Sequence, residues 1–222
     1  MPRARTSPST GPSTGSSTRS PRFARSLLPA LLAVSALPAI AGLYPPAAPP
    51  GSAFIRVFNA SNQPSVTAQV GTKNIPGTAA LQASSYVFLA PGAYPLKVGG
   101  ASDQVSLQGS RCYTAALGSD GKLHLFDEDC FNSQLKSLIE VYNLIDGTQL
   151  SVHTADGASV IDHVAAGRAG QREVNPVKAS LAVYDGTTKL ADAKPLTLER
   201  GKTYSLFVTG TRSAPVLIWV TG

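Results

Sequence analysis

Charge is scarce in this 222-residue chain: Asp, Glu, Lys and Arg make up 14% of it, and no acidic residue precedes Asp103. Exposed helices laced with i,i+4 ion pairs need more charge than that. The 17 Pro and 20 Gly instead punctuate the chain into short strands. Catalytic signatures are missing as well: no His-Glu-x-x-His and no phosphate-binding glycine loop occur, and the one Gly-x-Ser-x-Gly match, Gly11-Pro12-Ser13-Thr14-Gly15, sits in a polar Ser/Thr/Pro/Gly-rich stretch with no strand pattern before it, so it is no nucleophile elbow. Elbow hydrolases, zincins and P-loop nucleotide enzymes are excluded on those grounds, although a triad assembled from distant residues is not. Among three histidines, His153 and His163 flank Asp156 and Asp162, but a spacing of ten with turns between matches no metal-ligand pattern. His124 alternates with Phe126 in a hairpin strand, which makes it a solvent-facing position. No catalytic residue, metal or cofactor is expected.

The formal charge of +6 invites a nucleic-acid partner, and its distribution removes that reading. Arg3, Arg5, Arg19, Arg22 and Arg25 all fall in the first 25 residues, and the last two precede an apolar run over residues 27–40 that ends in Ala39-Ile40-Ala41. This is the layout of a cleaved export signal, so residues 1–41 are expected to be removed near Ala41. The apolar run carries two prolines and is short for a bilayer core of about 30 Å. Residues 6–20, rich in Ser, Thr, Pro and Gly, are too polar to bury and extend the leader. Once residues 1–41 are gone, 14 basic residues face 13 acidic ones, and no footprint for DNA or an anionic membrane is left.

What is present is a repeated strand. Phe54-Ile55-Arg56-Val57-Phe58-Asn59 returns 84 positions later as Leu138-Ile139-Glu140-Val141-Tyr142-Asn143. In both copies Ile and Val alternate, a charge sits between them, an aromatic follows and a turn-favouring Asn ends the run. The period of two sends Ile55 and Val57 to a core and turns Arg56 and Phe58 the other way, as it does Glu140 and Tyr142. Because the matched charges are opposite, the repeated feature reads as architectural.

Four prolines in residues 43–51 make an extended arm. Val66, Ala68 and Val70 alternate after the first repeat, residues 71–74 read as a turn, and residues 85–89, 94–98, 113–117 and 123–126 read as strands, with Val105 and Leu107 on another. Residues 127–136 lack an apolar period and read as a polar boundary, with Asp127-Glu128-Asp129 solvated. The second half repeats the plan with strands at residues 138–144, 150–153, 160–164, 179–184, 201–208 and 216–220, and a loop at residues 167–172. Tyr113 and Tyr204 each enter a late strand after a Gly turn, where a sandwich-corner hydroxyl bonds the preceding turn.

The predicted fold is all-β, with two tandem small antiparallel β-sandwich domains arising from an internal duplication. They span residues 53–130 and 138–222, joined by a linker at residues 131–137 and preceded by a proline-rich arm at residues 42–52. Domains of about 80 residues are near the lower limit for standing alone, so the halves must pack together or be stapled.

Cys112 and Cys130 flank the hairpin tip at Asp120-Gly121. Under a three-residue loop, facing residues have numbers that sum to 242, which sets these two opposite each other; a two-residue loop would put them on opposite faces. In an exported chain an even pair is more often bridged than free, so a disulfide is expected. Arg168 and Arg172 bracket a Gly-containing loop with guanidinium geometry suited to a carboxylate, against the plainer reading of an exposed basic loop. Trp219 is placed either to stack on a sugar ring or to pack beside Ile218 and Val220.

The run Leu43-Tyr44-Pro45-Pro46, followed by Gly51-Ser52-Ala53-Phe54-Ile55-Arg56-Val57-Phe58-Asn59-Ala60, resembles the mature start of the AlgF family of periplasmic accessory proteins for alginate O-acetylation. Arg172-Glu173-Val174-Asn175-Pro176-Val177, Leu181-Ala182-Val183-Tyr184-Asp185-Gly186, Leu198-Glu199-Arg200-Gly201 and Val208-Thr209-Gly210 are similar to that family too. The long N-terminal extension and the Cys112/Cys130 pair depart from its pattern. The resemblance implies a periplasmic, non-enzymatic scaffold that works beside acetyltransferases acting on mannuronate residues, with acetyl groups supplied across the inner membrane by a multispanning protein. It implies contact with those acetyltransferase proteins and leaves contact with the polymer open. Two rival functions are a carbohydrate-binding module pair acting on the polymer directly, and an acetyl carrier or transferase.

Overall fold

The computed structural model describes residues 47–222, whose regular structure is all β-strand; the expected leader over residues 1–41 and the first five residues of the expected proline-rich arm lie outside the described residues. The first half contains β1 (Ala53–Asn59), β2 (Ser65–Val70), β3 (Lys73–Ala79), β4 (Val87–Leu89), β5 (Gly92–Val98), β6 (Ala101–Leu107), β7 (Arg111–Leu117) and β8 (Leu123–Asp129). The second contains β9 (Ser137–Asn143), β10 (Gln149–Thr154), β11 (Ser159–Ala165), β12 (Ala169–Val174), β13 (Lys178–Ala179), β14 (Leu181–Asp185), β15 (Thr188–Asp192), β16 (Leu196–Thr197), β17 (Thr203–Thr211) and β18 (Ala214–Thr221).

The sheets are ordered β4-β1-β7-β8 and β3-β2-β5-β6 in the first half, and β12-β9-β17-β18 and β11-β10-β14-β15 in the second, with β13 and β16 as a small extra pair. Register repeats along with order: β1 runs parallel to β7 with Ile55 opposite Tyr113, and β9 runs parallel to β17 with Ile139 opposite Tyr204. Every other pairing of named strands is antiparallel. The duplication read from one hexapeptide therefore extends to the whole strand plan.

Each half has its own core, made where alternating side chains of its two sheets meet. Ile55 and Val57 pack with Val66, Val70, Leu96 and Leu107, and Ile139 and Val141 pack with Leu150, Val152, Val183 and Leu206. The two tyrosine corners are equivalent, with Tyr113 Oη accepting from Gln108 N and Tyr204 Oη accepting from Glu199 N, both at 2.9 Å. The repeated Asn also has a physical task. Asn143 Nδ2 donates to Val164 O at 2.9 Å and its Oδ1 accepts from Ile145 N at 3.0 Å, while Asn59 Nδ2 donates to Gln63 O at 3.0 Å and its Oδ1 accepts from Ser61 N at 3.1 Å. Each ties the end of its strand to neighbouring loops that would otherwise leave buried polar groups unmet.

Three local readings are corrected. Lys73 and Asn74, read within a turn, open strand β3, whose register slips against β2 and whose buried residues Ile75 and Thr78 do not alternate. Residues 167–172, read as a loop, run from a turn into edge strand β12, paired with β9. Gly170 is required there: a Cβ would stand 2.8 Å from both Ile161 Cγ2 and Val164 Cγ2. The acidic run belongs to β8, which alternates so that Asp127 and Asp129 are exposed and Glu128 is buried.

The hairpin register also differs from the three-residue expectation. Leu117 pairs with Leu123 across a five-residue loop, so Cys112 stands opposite Glu128 and paired numbers sum to 240. Gly118 N donates to Lys122 O at 2.9 Å to close that loop. Parity is unchanged, so Cys112 and Cys130 still share a face, and they are bonded diagonally with Cα atoms 5.1 Å apart. Replacing both cysteines by alanine should lower stability by about 3 kcal/mol on chain-entropy grounds. Equilibrium denaturation of the two forms measures it, and an unchanged midpoint would show that the bond staples nothing.

Candidate functional site

Strands that bury one face in a domain core have a second face to cover. In β1, β7 and β8 that face carries Arg56, Phe58, Thr114, Ala116, Phe126 and Glu128; in β9 and β17 it carries Glu140, Tyr142, Ser205 and Phe207. The two faces meet, and their apolar members form a third buried cluster between the halves. Phe58 stacks on Phe207 with ring centroids 3.7 Å apart, Tyr142 stacks on Phe207 at 4.3 Å, and Phe126 meets Tyr142 edge-on at 5.0 Å. Each such pair contributes about 0.5–1.5 kcal/mol beyond the area it buries.

Beside the rings lies a polar network that the sequence reading left on an outer face. Arg56 is 3% exposed and Glu140 4%. Arg56 Nη2 donates to Glu140 Oε2 at 3.3 Å, Tyr142 Oη at 3.0 Å and Ser205 Oγ at 2.9 Å, and Nε donates to Thr114 Oγ1 at 3.0 Å. Tyr142 Oη and Ser205 Oγ in turn donate to Glu140 Oε2, at 2.9 and 2.6 Å. Removing one partner of such a buried pair costs about 3–5 kcal/mol, because the other charge is then left unmatched in a dry environment.

Glu128 is the odd member. It is 4% exposed, and neither carboxyl oxygen has a hydrogen-bond partner. Burial, reinforced by the charge of Glu140, pushes its pKa up to about 8, against the pull of the Arg56 charge. At neutral pH it is therefore mostly the uncharged acid. Burial in the same place also holds the Tyr142 hydroxyl well above the usual tyrosine range.

Two cavities open along this seam. One of about 320 Å³ is lined by Phe54, Arg56, Tyr86, Phe131 and the Cys112–Cys130 bond, among others. A smaller one of about 120 Å³ lies between Glu128, Glu140 and Gln171. Cys112 and Cys130 are thus part of a cavity wall. Arg168 and Arg172 are both exposed, Arg168 in the turn before β12 and Arg172 on that strand. Arg172 Nη1 donates to Ser159 O at 3.0 Å and Val160 O at 2.9 Å. Trp219 packs against the second core and its Nε1 donates to Lys194 O at 3.0 Å, which favours core packing over a sugar platform. His153 Nε2 lies 3.1 Å from Ser151 Oγ, and no histidine enters the seam network. Among the described residues no group of three or more His, Cys, Asp and Glu is placed to hold a metal ion.

A family profile described as "Alginate O-acetyl transferase AlgF" matches residues 26–205. The chain belongs to the AlgF family. It is 45% identical over 204 residues to an alginate biosynthesis protein AlgF of Pseudomonas fluorescens, covering 90% of this chain and 93% of that relative. It is 41% identical over 179 residues to the AlgF of Pseudomonas aeruginosa, covering 80% and 82%. Solved structures of the C-terminal and N-terminal domains of AlgF from P. aeruginosa match 40% and 37% of this chain and 99% of each domain, at 43% and 35% identity and TM-scores of 0.37 and 0.34.

The seam of this AlgF-family chain predicts a pH dependence. Glu128 binds its proton more tightly folded than unfolded, so its share of stability is fully present below about pH 4.5 and is lost as pH rises through about 8. The loss amounts to a few kcal/mol, on the order of 1.4 per pKa unit. Glu128→Gln should flatten the decline between pH 5 and 8 and be the more stable protein at pH 8. Denaturation midpoints across that range decide it, and parallel profiles for the two proteins would refute it.

Proposed function

We propose that the protein is a non-catalytic accessory of alginate O-acetylation, exported to the periplasm, which holds acetyltransferase components together or presents substrate to them. The family description and the names of the relatives supply the pathway. The leader over residues 1–41 supports export.

The observation that carries the accessory role is the closure of the seam network. Ser205 is a network hydroxyl next to a carboxylate, and its Oγ–H is already given to Glu140 while Oγ accepts from Arg56; Tyr142 Oη–H is likewise given to Glu140, and Thr114 Oγ1 accepts from Arg56. Attack needs a base that takes the serine proton and a free approach for the acyl carbon. A carboxylate already bound to a guanidinium is a poor base, and the hydroxyl is fully buried. Such a constellation aligns two domains, and a surface held in fixed alignment suits a scaffold.

In an alginate producer lacking its own copy, this chain should restore acetyl esters on the polymer, read by proton NMR, and Ser205→Ala should restore them equally. A folded Ser205→Ala protein that leaves the polymer unacetylated would overturn the non-catalytic reading. Incubation with p-nitrophenyl acetate followed by intact-mass measurement should show no acetyl adduct, and an adduct at a single residue would count against it as well.

A further inference from the structure

Arg56 is buried, yet one edge of its guanidinium is unused. Nε and Nη2 are committed to Thr114, Glu140, Tyr142 and Ser205, whereas Nη1 has no hydrogen-bond partner among the described residues. That nitrogen is not sealed, since the only sealed, unpartnered side-chain atoms among the described residues are the Glu128 oxygens. The side chain lines the cavity of about 320 Å³, so the cavity is the route by which Nη1 is reached. Tyr86 lies over the guanidinium with its centroid 4.8 Å from Cζ, and Phe54, Phe131 and the disulfide complete an apolar wall.

A guanidinium N–H in such a place calls for an oxygen acceptor. That acceptor is not a second anion. Glu140 already neutralises Arg56 and lines the same cavity, so an incoming carboxylate would face a buried like charge. A carbonyl oxygen on a short apolar group meets both demands, with oxygen toward Nη1 and methyl against the aromatic wall. The volume falls at the low end of the roughly 300–1,000 Å³ common for small-ligand sites.

We infer that this cleft binds an acyl ester without reacting with it, and, resting on the acetylation role proposed above, that the ester is the O-acetyl group of modified polymer. The uronate carboxylate is kept out by the charges that admit the neutral carbonyl, so the site selects the ester over the bare sugar. The disulfide holds Cys112 and Cys130 together as part of the wall.

Saturation-transfer difference NMR on the full mature chain tests this with an O-acetylated mannuronate tetramer and the same tetramer after alkaline de-esterification. Transfer should concentrate on the acetyl methyl protons of the first probe and be absent from the second. Tyr86 is 38% exposed and its hydroxyl takes no part in the hydrogen bonds of Arg56, so Tyr86→Ala removes a wall without opening the seam. It should weaken binding about fivefold, the effect of losing one aromatic contact. Equal transfer from both tetramers would replace the ester reading with plain polymer binding. No transfer from either, or unchanged affinity in Tyr86→Ala, would overturn the site. Restoration of acetylation in cells is scored separately, so a failure of the ester site is told apart from a failure of the accessory role.

Discussion

Two charges from matched positions of a duplicated strand, Arg56 and Glu140, meet 3.3 Å apart in the buried seam between the halves. Moving a guanidinium and a carboxylate out of water is costly, and a pair of this kind is tolerated when further hydrogen bonds take up the remaining donors and lone pairs. Tyr142, Ser205 and Thr114 do so here. The rest of the arrangement depends on that requirement. A shift of one strand by one residue would turn Arg56 into a domain core and bring Ile55 or Val57 to the seam, leaving Glu140 without its partner. The pair contributes less as attraction than as specification of how the two sandwiches meet.

Divergence of sign between the repeats gives the seam its selectivity. Had both copies kept arginine, two guanidinium groups would face each other; had both kept glutamate, two carboxylates would. With one of each, a first half fits a second half and disfavours its own kind. The same division of labour appears in the rings, where Phe58 and Tyr142 occupy matched positions and both stack on Phe207, whose own counterpart is the small Ala116. Glu128 adds a second carboxyl to a seam with one buried guanidinium and stays mostly protonated as a result. The seam is thus tightly packed on its aromatic side and electrostatically incomplete on its polar side, where both cavities lie.

Much of the fold was legible because its signals are local. Alternating Ile and Val marked β1 and β9, the Gly-then-Tyr spacing marked both corners, and turn residues marked most boundaries. The missed elements lack such signals. Strand β3 contains a proline and a register slip, so its buried residues do not alternate. Strand β12 has Gly170 where other strands have an apolar residue, because Ile161 and Val164 crowd that position from β11. The buried acid at Glu128 was hidden by its exposed neighbours Asp127 and Asp129, both paired with Arg111, which make a half-buried strand look like a solvated run.

The candidate site was legible only in part, and the reason is one of range. Sequence by itself determined the class of fold, the duplication and the facing of each repeated side chain, since all of these follow from a period of two and from spacing along the chain, whereas the hairpin loop that puts the two cysteines on one face was settled only by the register of β7 and β8. It also showed the opposite charges of Arg56 and Glu140 at matched positions, which was the one visible hint of the seam. What lies opposite an outward-facing residue is decided by contacts between residues 58 to 149 positions apart, as the partners of Arg56 are. Only the tertiary structure could turn two outward charges into one buried pair, close a cavity around the unused edge of Arg56, and set the disulfide in its wall.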